Sequence, residues 1–448
     1  MALLLLIILT ATELGFTVFG FTAKDTKKEW TLKRVIVTAA QIIIYLLMLV
    51  LPGIDAGFRF KGLIVCLFIR LAAAGIFWIC NRRDQKIKKK GAMAAGAVLS
   101  IILIASSMAP AFLFSDYNGR PLTGEYNVLQ AQTILIDRSR IEEFETDGSF
   151  REVPVHFFYP EGCEEKLPLI IFSHGAFGYY QSNESTFMEL ASNGYVVASI
   201  EHPYHSLFTK DTNGRLITVD PGFFNDALTI GNSDDEYTEE EIFAYTSVWM
   251  KIRLDDMNFA IDTLKEASEN GITDVFFEPD RNVIDAVSLI DDSRIGLIGH
   301  SMGGATAVTC GRRDDISAVV DLDGTMLGEI LGAAGNEDII NTEPYTTPLL
   351  NFEKEDHHEG RTEYEREGIT YVNSVILGGA EEAFNTYFTG AEHMDFTDLP
   401  LFSPVLAGSL GSGDVDHEAM IDTVNGIVVR FFDCYLKGEG TFTVNECY

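Results

Sequence analysis

Four long apolar stretches, at about residues 2 to 22, 35 to 53, 62 to 80 and 92 to 114, open this 448-residue chain. Each is close to the ~20 residues that an α-helix needs to cross the hydrocarbon core of a bilayer. In lipid a backbone must satisfy its own hydrogen bonds, so an unbroken apolar stretch of this length resolves as a helix. The first stretch lacks the basic residues that precede the apolar part of a cleaved signal peptide. The expectation is an all-α transmembrane region of about four helices over residues 1–114, with a soluble helical bundle, or a cleaved signal peptide followed by buried helices, as the alternative.

Basic residues are spread unevenly between these stretches. Lys24, Lys27, Lys28, Lys33 and Arg34 lie between the first and second, and Arg82, Arg83, Lys86, Lys88, Lys89 and Lys90 between the third and fourth. Between the second and third stand Arg59 and Lys61 alone. The positive-inside rule puts the first and third loops in the cytoplasm, and an even number of spans leaves both termini outside. The expected location is a multi-pass protein of the cell membrane whose large C-terminal part faces the exterior. Glu13 and Arg70 fall within apolar stretches, where a charge is costly unless it pairs or reaches water. A structural pair between helices is the expectation, and a small polar site the alternative.

The rest of the chain is chemically different. Residues 1–114 contain 14 Lys and Arg and 5 Asp and Glu, whereas the remainder contains 19 and 61, a net charge of −42. Such a field repels polyanions, which argues against nucleic acid as a partner and identifies no substrate. Ser115 to Pro121 is rich in turn formers and reads as a linker, taken as 115–123, before a domain over 124–448. The six cysteines show no CxxC or zinc spacing. An exterior location permits a disulfide, for which Cys434 and Cys447 are the first candidates, with free thiols as the alternative.

Within that domain, Tyr126 to Asp137 and Arg151 to Tyr159 read as an antiparallel pair of strands. Apolar strands then alternate with helical segments. Strands are expected at Leu167 to Phe172, Tyr195 to Ile200, Arg294 to Ile298, Ala318 to Leu322, Pro348 to Phe352 and Ala383 to Phe388. Helices are expected at Ser185 to Asn193, near Val248 to Ser268, after Ser301, and at Glu418 to Leu436. This alternation, with strands that are apolar throughout, implies a mostly parallel sheet covered by helices on both faces. Residues 206 to 245, which include the acidic run Asp234 to Glu241, show no steady period and read as either a lid or rim, or a solvated loop.

The strand Arg294 to Ile298 leads directly into Gly299-His300-Ser301-Met302-Gly303-Gly304 and then into a helix start. Gly-x-Ser-x-Gly is common by chance, but between a strand and a helix it has the context of a nucleophile elbow. There the serine sits in a sharp turn, small neighbours let backbones pass closely, and the N–H after the serine points where an oxyanion would form. Ser301 is thus the candidate nucleophile and Met302 one oxyanion donor. Upstream, the apolar strand Leu169 to Phe172 ends in Ser173-His174-Gly175-Ala176, a loop suited to the second donor. Ala176 is chosen, with Phe177 as the alternative, and His174 is expected to hold the loop by hydrogen bonds.

A serine nucleophile needs a base, and the base an acid to orient it. In this fold they follow the serine in the order acid, then histidine. His393 lies after the last strand candidate and before the final helix, where the base belongs. His357 and His358 sit in a charged stretch that reads as solvent-facing loop, and His417 as the start of the last helix. Asp321 and Asp323 lie at the end of one strand and on opposite faces of it. Asp323 is chosen because it stands at the C-terminal edge beside Gly324, with Asp321 the main rival. No cofactor or metal is called for, since the His-containing runs at Glu201 to His205 and Asp356 to Glu359 match no defined zinc pattern.

Together these blocks resemble the platelet-activating-factor acetylhydrolase family of plasma type, in the α/β-hydrolase superfamily. The likeness rests on Phe172 to Gly175, Leu190 to Val197 leading to Glu201-His202, Gly299 to Thr306, Leu322-Asp323, and His393 with Asp395-Phe396, and it covers about residues 124 to 440. It implies an α/β-hydrolase fold and a serine esterase acting on short-chain or phospholipid acetyl esters, without cofactor. It also implies Ser301, Asp323 and His393 as nucleophile, acid and base, with Ala176 and Met302 as oxyanion donors. Met302 departs from an expected aromatic residue, Ala176 from a larger apolar one, and residues 206–245 do not align clearly. A peptidase or acyltransferase with the same triad, or a non-catalytic membrane receptor or scaffold, are the competing classes.

Overall fold

A computed structural model describes residues 1–231, 237–335 and 337–448. The chain divides into two compact units, Met1–Asn118 with Leu401–Leu406, and Gly119–Pro400 with Ala407–Tyr448.

The first unit is built on α1 (Ala2–Ala23), α2 (Lys27–Met48), α3 (Phe58–Asn81) and α4 (Lys90–Ser107), all long and apolar enough to cross a membrane. Two helix ends differ from the hydropathy reading. Helix α2 begins in the basic loop because Thr26 and Glu29 form a reciprocal capping box that satisfies its first amides. Helix α4 stops at Ser107, and a separate short helix, Ala109–Leu113, follows with Pro110 in its first turn. The packing is inverted relative to a water-soluble bundle. Leu3, Ile7, Val18, Ile43, Leu47, Phe68, Ile69, Ile76 and Leu99 face outward, while Glu13, Thr38 and Gln41 are buried. Inside, Glu13 accepts from Arg34 Nη1 at 2.5 Å, from Gln41 Nε2 at 3.1 Å and from Arg70 Nη2. The charges expected to pair do so, and Arg34 and Gln41 complete the group. The two basic loops meet through a bridge between Thr26 and Ile87, with Lys27 N–H donating to Lys86 O and Lys88 N–H to Asp25 O.

The second unit is organised by a nine-stranded sheet. Its strands are β1 (Val128–Ile141), β2 (Phe150–Pro160), β3 (Leu167–Ser173), β4 (Val196–Ile200), β5 (Phe276–Phe277), β6 (Ile290–His300), β7 (Ala318–Leu322), β8 (Leu349–Lys354) and β9 (Ala383–Phe388). Their spatial order is β9-β8-β7-β6-β3-β4-β2-β1-β5. The run from β4 through β3, β6, β7 and β8 to β9 is parallel, while β1, β2 and β5 are antiparallel additions at one edge. The central strands are buried over most of their length because helices cover both faces. One face packs on α7 (Glu239–Asn270), through Met257, Ile261 and Leu264. The other packs on α5 (Glu184–Ser192) and α10 (His417–Phe432), through Phe187, Leu190, Val428 and Phe431. The elbow helix α8 is Met302–Cys310, and α9 spans Glu355–Glu367. This architecture is the α/β-hydrolase fold.

The described residues of 206–245 include a hairpin, Phe208–Lys210 with Leu216–Thr218, then α6 (Pro221–Gly231) and the first turns of α7. Asp234, Asp235 and Glu236 of the acidic run lie outside the described residues. The six cysteines are free. Cys434 Sγ lies by the Gly440 carbonyl and Cys447 Sγ by Thr389 Oγ1, so the disulfide considered for that pair is not formed.

Candidate active site

Ser301 follows β6 and precedes α8 with φ 55° and ψ −127°, a region a side chain occupies only at a cost of ~1–3 kcal/mol. Close backbone approaches hold it there. A Cβ on Gly303 would fall on the Ser173 and His174 carbonyls, one on Gly299 on the Gly303 carbonyl, and one on Gly304 on the Asp321 carboxylate. Glycine is thus required on both sides of the serine. The Ser301 N–H donates to Leu322 O at 3.0 Å, which ties the elbow to β7.

Asp323 lies just past β7, also at positive φ (54°), and its carboxylate is buried. Its Oδ2 receives His393 Nδ1 at 2.6 Å, and its Oδ1 receives the Lys354 N–H and His357 Nδ1, both at 2.8 Å. Burial by itself would raise this carboxyl, but the bonds from the two imidazoles outweigh it and hold it well below the carboxylate range. Asp321, the rival, points to the opposite face. It receives the Gly324 N–H at 3.0 Å beneath α8, and burial together with the Asp323 charge pushes its carboxyl well up. It does not meet His393.

His393 starts a short 3₁₀ turn, His393–Phe396, after β9. Its carbonyl receives His300 Nε2 at 3.1 Å, and the two rings are 4.6 Å apart. Burial, then the neighbouring His393, lowers His300 to about 3, so His300 acts as a neutral donor bracing the turn. Asp395 Oδ2 accepts the Glu392 and Gly413 N–H groups and fixes the same turn.

The loop after β3 lies against the nucleophile. A Cβ on Gly175 would stand 2.8 Å from His300 Nδ1 and 3.1 Å from Ser301 Cβ. Phe177, the alternative donor, has its N–H engaged by the His205 carbonyl at 3.1 Å. His174 bonds the Gly175 carbonyl at 2.7 Å and Ser206 Oγ at 2.8 Å, as expected of a loop brace. Arg253, fully buried on α7, donates to the His174 and Gly175 carbonyls at 2.5 and 3.1 Å. Burial lowers even this guanidinium, to about 9. An apolar wall of Phe223, Trp249, Met250, Met302 and Ala305 stands beside Ala176 and Phe177, so α6 of the irregular segment forms one side of the site.

Three participants were not anticipated from sequence. His357 was expected in solvent-facing loop, but it lies in the first turn of α9 and bonds Asp323. Its neighbour His358 bonds Glu353 Oε2 and stacks on Tyr387. His300 stood at a free position of the Gly-x-Ser-x-Gly pattern. Arg253 had only the weak signal of a cation on an apolar helix face. His417 does start α10, near Asp395.

With this geometry in hand, the chain can be set beside known proteins. A family model described as platelet-activating factor acetylhydrolase, isoform II, matches residues 148–445. The platelet-activating factor acetylhydrolases of Cavia porcellus and Bos taurus are each 25% identical to it, over 65% and 62% of this chain. The chain spans 62% and 59% of the length of those relatives. A ferulic acid esterase from Streptomyces cinnamoneus superposes with a TM-score of 0.51 at 20% identity, covering 72% of this chain and 93% of the esterase, a likeness of fold.

Proposed function

We propose, for a chain that belongs to the platelet-activating factor acetylhydrolase isoform II family, that it is a membrane-tethered serine ester hydrolase using Ser301, His393 and Asp323. The observation that carries this reading is the strained Ser301 elbow beside the Gly175 loop, together with His393 held on a buried, charged Asp323. Ser301 Oγ attacks the ester carbonyl carbon as His393 Nε2 takes the hydroxyl proton, and Asp323 fixes the tautomer that leaves Nε2 free to accept it. The carbonyl oxygen becomes an oxyanion between the Ala176 and Met302 N–H groups. Collapse breaks the bond to the alcohol, which leaves with the proton from His393. Water, deprotonated by His393, then attacks the acyl-Ser301 ester, and the carboxylic acid leaves as the serine regains its proton.

The apolar wall from α6 and α7 suits the acyl or alkyl part of a lipid ester, and the family points to short acyl groups such as phospholipid acetyl esters. Fluorophosphonate labelling, and hydrolysis of acyl esters of graded length and of acetylated phospholipids, test this reading. Ser301→Ala should abolish labelling and lower turnover by about three orders of magnitude or more while the fold survives. Wild-type rates in that variant would sink the assignment. The basic loops, joined at one end of the four-helix unit, support a membrane placement with that end in the cytoplasm and the hydrolase outside.

A further inference from the structure

We infer that the four-helix unit carries a binding site for a phosphate-bearing anion, held by Lys88 and Arg34 in a cavity between α2, α3 and α4. The inference rests on the reading of these helices as membrane spans and is independent of the esterase assignment. The cavity has a volume of about 210 Å³, and Trp30, Thr31, Arg34, Phe77, Asn81 and Lys88 are among its walls. That is room for a phosphate group but small for a bulky organic ligand.

Charge pairing shows why an anion belongs there. The segments 24–34 and 82–90 hold eleven cations and three acids, and each acid at this end already has a partner. Asp25 pairs with Lys33 at 2.7 Å and Asp84 with Lys27 at 2.8 Å. Glu29 caps Thr26 at 2.9 Å, and Glu13, deeper in the bundle, is taken by Arg34 and Arg70. Lys88 is left with no carboxylate among the described residues, although it is partly buried. Burial, then Lys27 and Arg34, lowers its ammonium, as expected for a cation set among cations. Helices α1 and α3 end here while α2 and α4 begin, so helix dipoles of both signs meet and the side chains set the local charge.

Arg34 and Gly96 line the cavity together, and a Cβ on Gly96 would stand 3.9 Å from Arg34 Nη2, so a longer side chain there would project toward the guanidinium. Arg34 Nη1 is held by Glu13, which fixes the guanidinium with one edge toward the cavity. Basic pockets between membrane helices, level with the lipid headgroups, are suited to anionic headgroups. Soluble phosphate offers the same oxygens.

The test uses the full chain in phosphatidylcholine nanodiscs doped with phosphatidylglycerol, with retained lipid counted by native mass spectrometry and inorganic phosphate as competitor. Wild type should retain phosphatidylglycerol over phosphatidylcholine. Lys88→Gln should cut that preference about fivefold, Lys88→Arg should keep it, and Gly96→Leu should remove it by filling the cavity. Retention that withstands free phosphate identifies the lipid as the source. Phosphate binding that Lys88→Gln removes, without lipid preference, identifies the soluble ion. Fluorophosphonate labelling of Ser301 should be unchanged in both variants, which separates loss of this site from loss of fold or of the esterase. Equal retention of the two lipids with no phosphate binding, or Lys88→Gln and Gly96→Leu both indistinguishable from wild type, overturns the inference.

Discussion

At the scale of single residues, the two aspartates at the end of β7 show how position divides two like groups. Asp321 and Asp323 are two apart, yet one is pressed under Gly304 with its carboxyl pushed up by burial, and the other turns at φ 54° to meet two imidazoles. Asp323→Asn should lower kcat/KM by about 10⁴ through loss of the His393 tautomer, whereas Asp321→Asn, which keeps the Gly324 bond, should stay within tenfold; ester hydrolysis rates check both. His357 is the less expected participant. Because the Lys354 N–H also serves Asp323 Oδ1, His357→Gln should cost about tenfold or less and shift the acid limb of the kcat/KM profile, while His393→Ala should be near-inactive. A pH–rate series on the three proteins distinguishes these outcomes. Alternation along a strand could separate the aspartates into faces, but which face would receive an imidazole depended on residues 34 and 70 positions away.

Among the elements, α7 does more than cover the sheet. Over one turn it presents Arg253 to the carbonyls of the loop after β3, and Asp256 to Arg151 on β2, to Arg140 on β1 and to His202. Arg253→Met should leave the buried His174 carbonyl without its Arg253 donor, while the Gly175 carbonyl keeps His174 Nδ1 and the Gly178 N–H, costing about 1–3 kcal/mol of stability and lowering kcat more than KM as the loop after β3 loosens; thermal melting and steady-state kinetics read the two effects. Asp256 is fully buried. Burial would raise its carboxyl, but Arg151 and the His202 bond hold it well below the usual value. Its folded-state pKa is thus depressed, so its contribution is complete above the unfolded value of ~4 and is lost as pH falls below it. Asp256→Asn should cost about 3–5 kcal/mol at pH 7, and the gap in melting temperature from wild type should narrow below pH 4. The helix was legible in the sequence, though it begins nine residues before the expected start because Thr238 and Glu241 form a capping box. Its buried charges were not legible, since each partner lies on a separate element.

For the whole molecule, residues 1–114, an outwardly apolar helical region, carry a net charge of +9, whereas residues 115–448 carry −42, and the contrast bears on topology. With the basic loops in the cytoplasm, an impermeant maleimide should label exposed Cys447 on intact cells, and a cysteine introduced by Lys86→Cys only after permeabilisation. The reverse pattern would place the hydrolase inside. The four long apolar helices, the alternating strands and helices, and the elbow at Ser301 were determined by the sequence itself, because each is a local pattern: apolar length, a period of two or 3.6, and a serine between glycines where a strand meets a helix. Tertiary structure alone decided the rest. It added His357 to the Asp323 carboxylate, brought His300 and Arg253 to the site, folded residues 206–231 into a hairpin and a wall-forming helix, and left Lys88 without a carboxylate partner among the described residues. The physical reason is common to all of these: they depend on which buried polar groups find partners across the sheet or between helices, and pairing over such separations leaves no periodic trace in the chain.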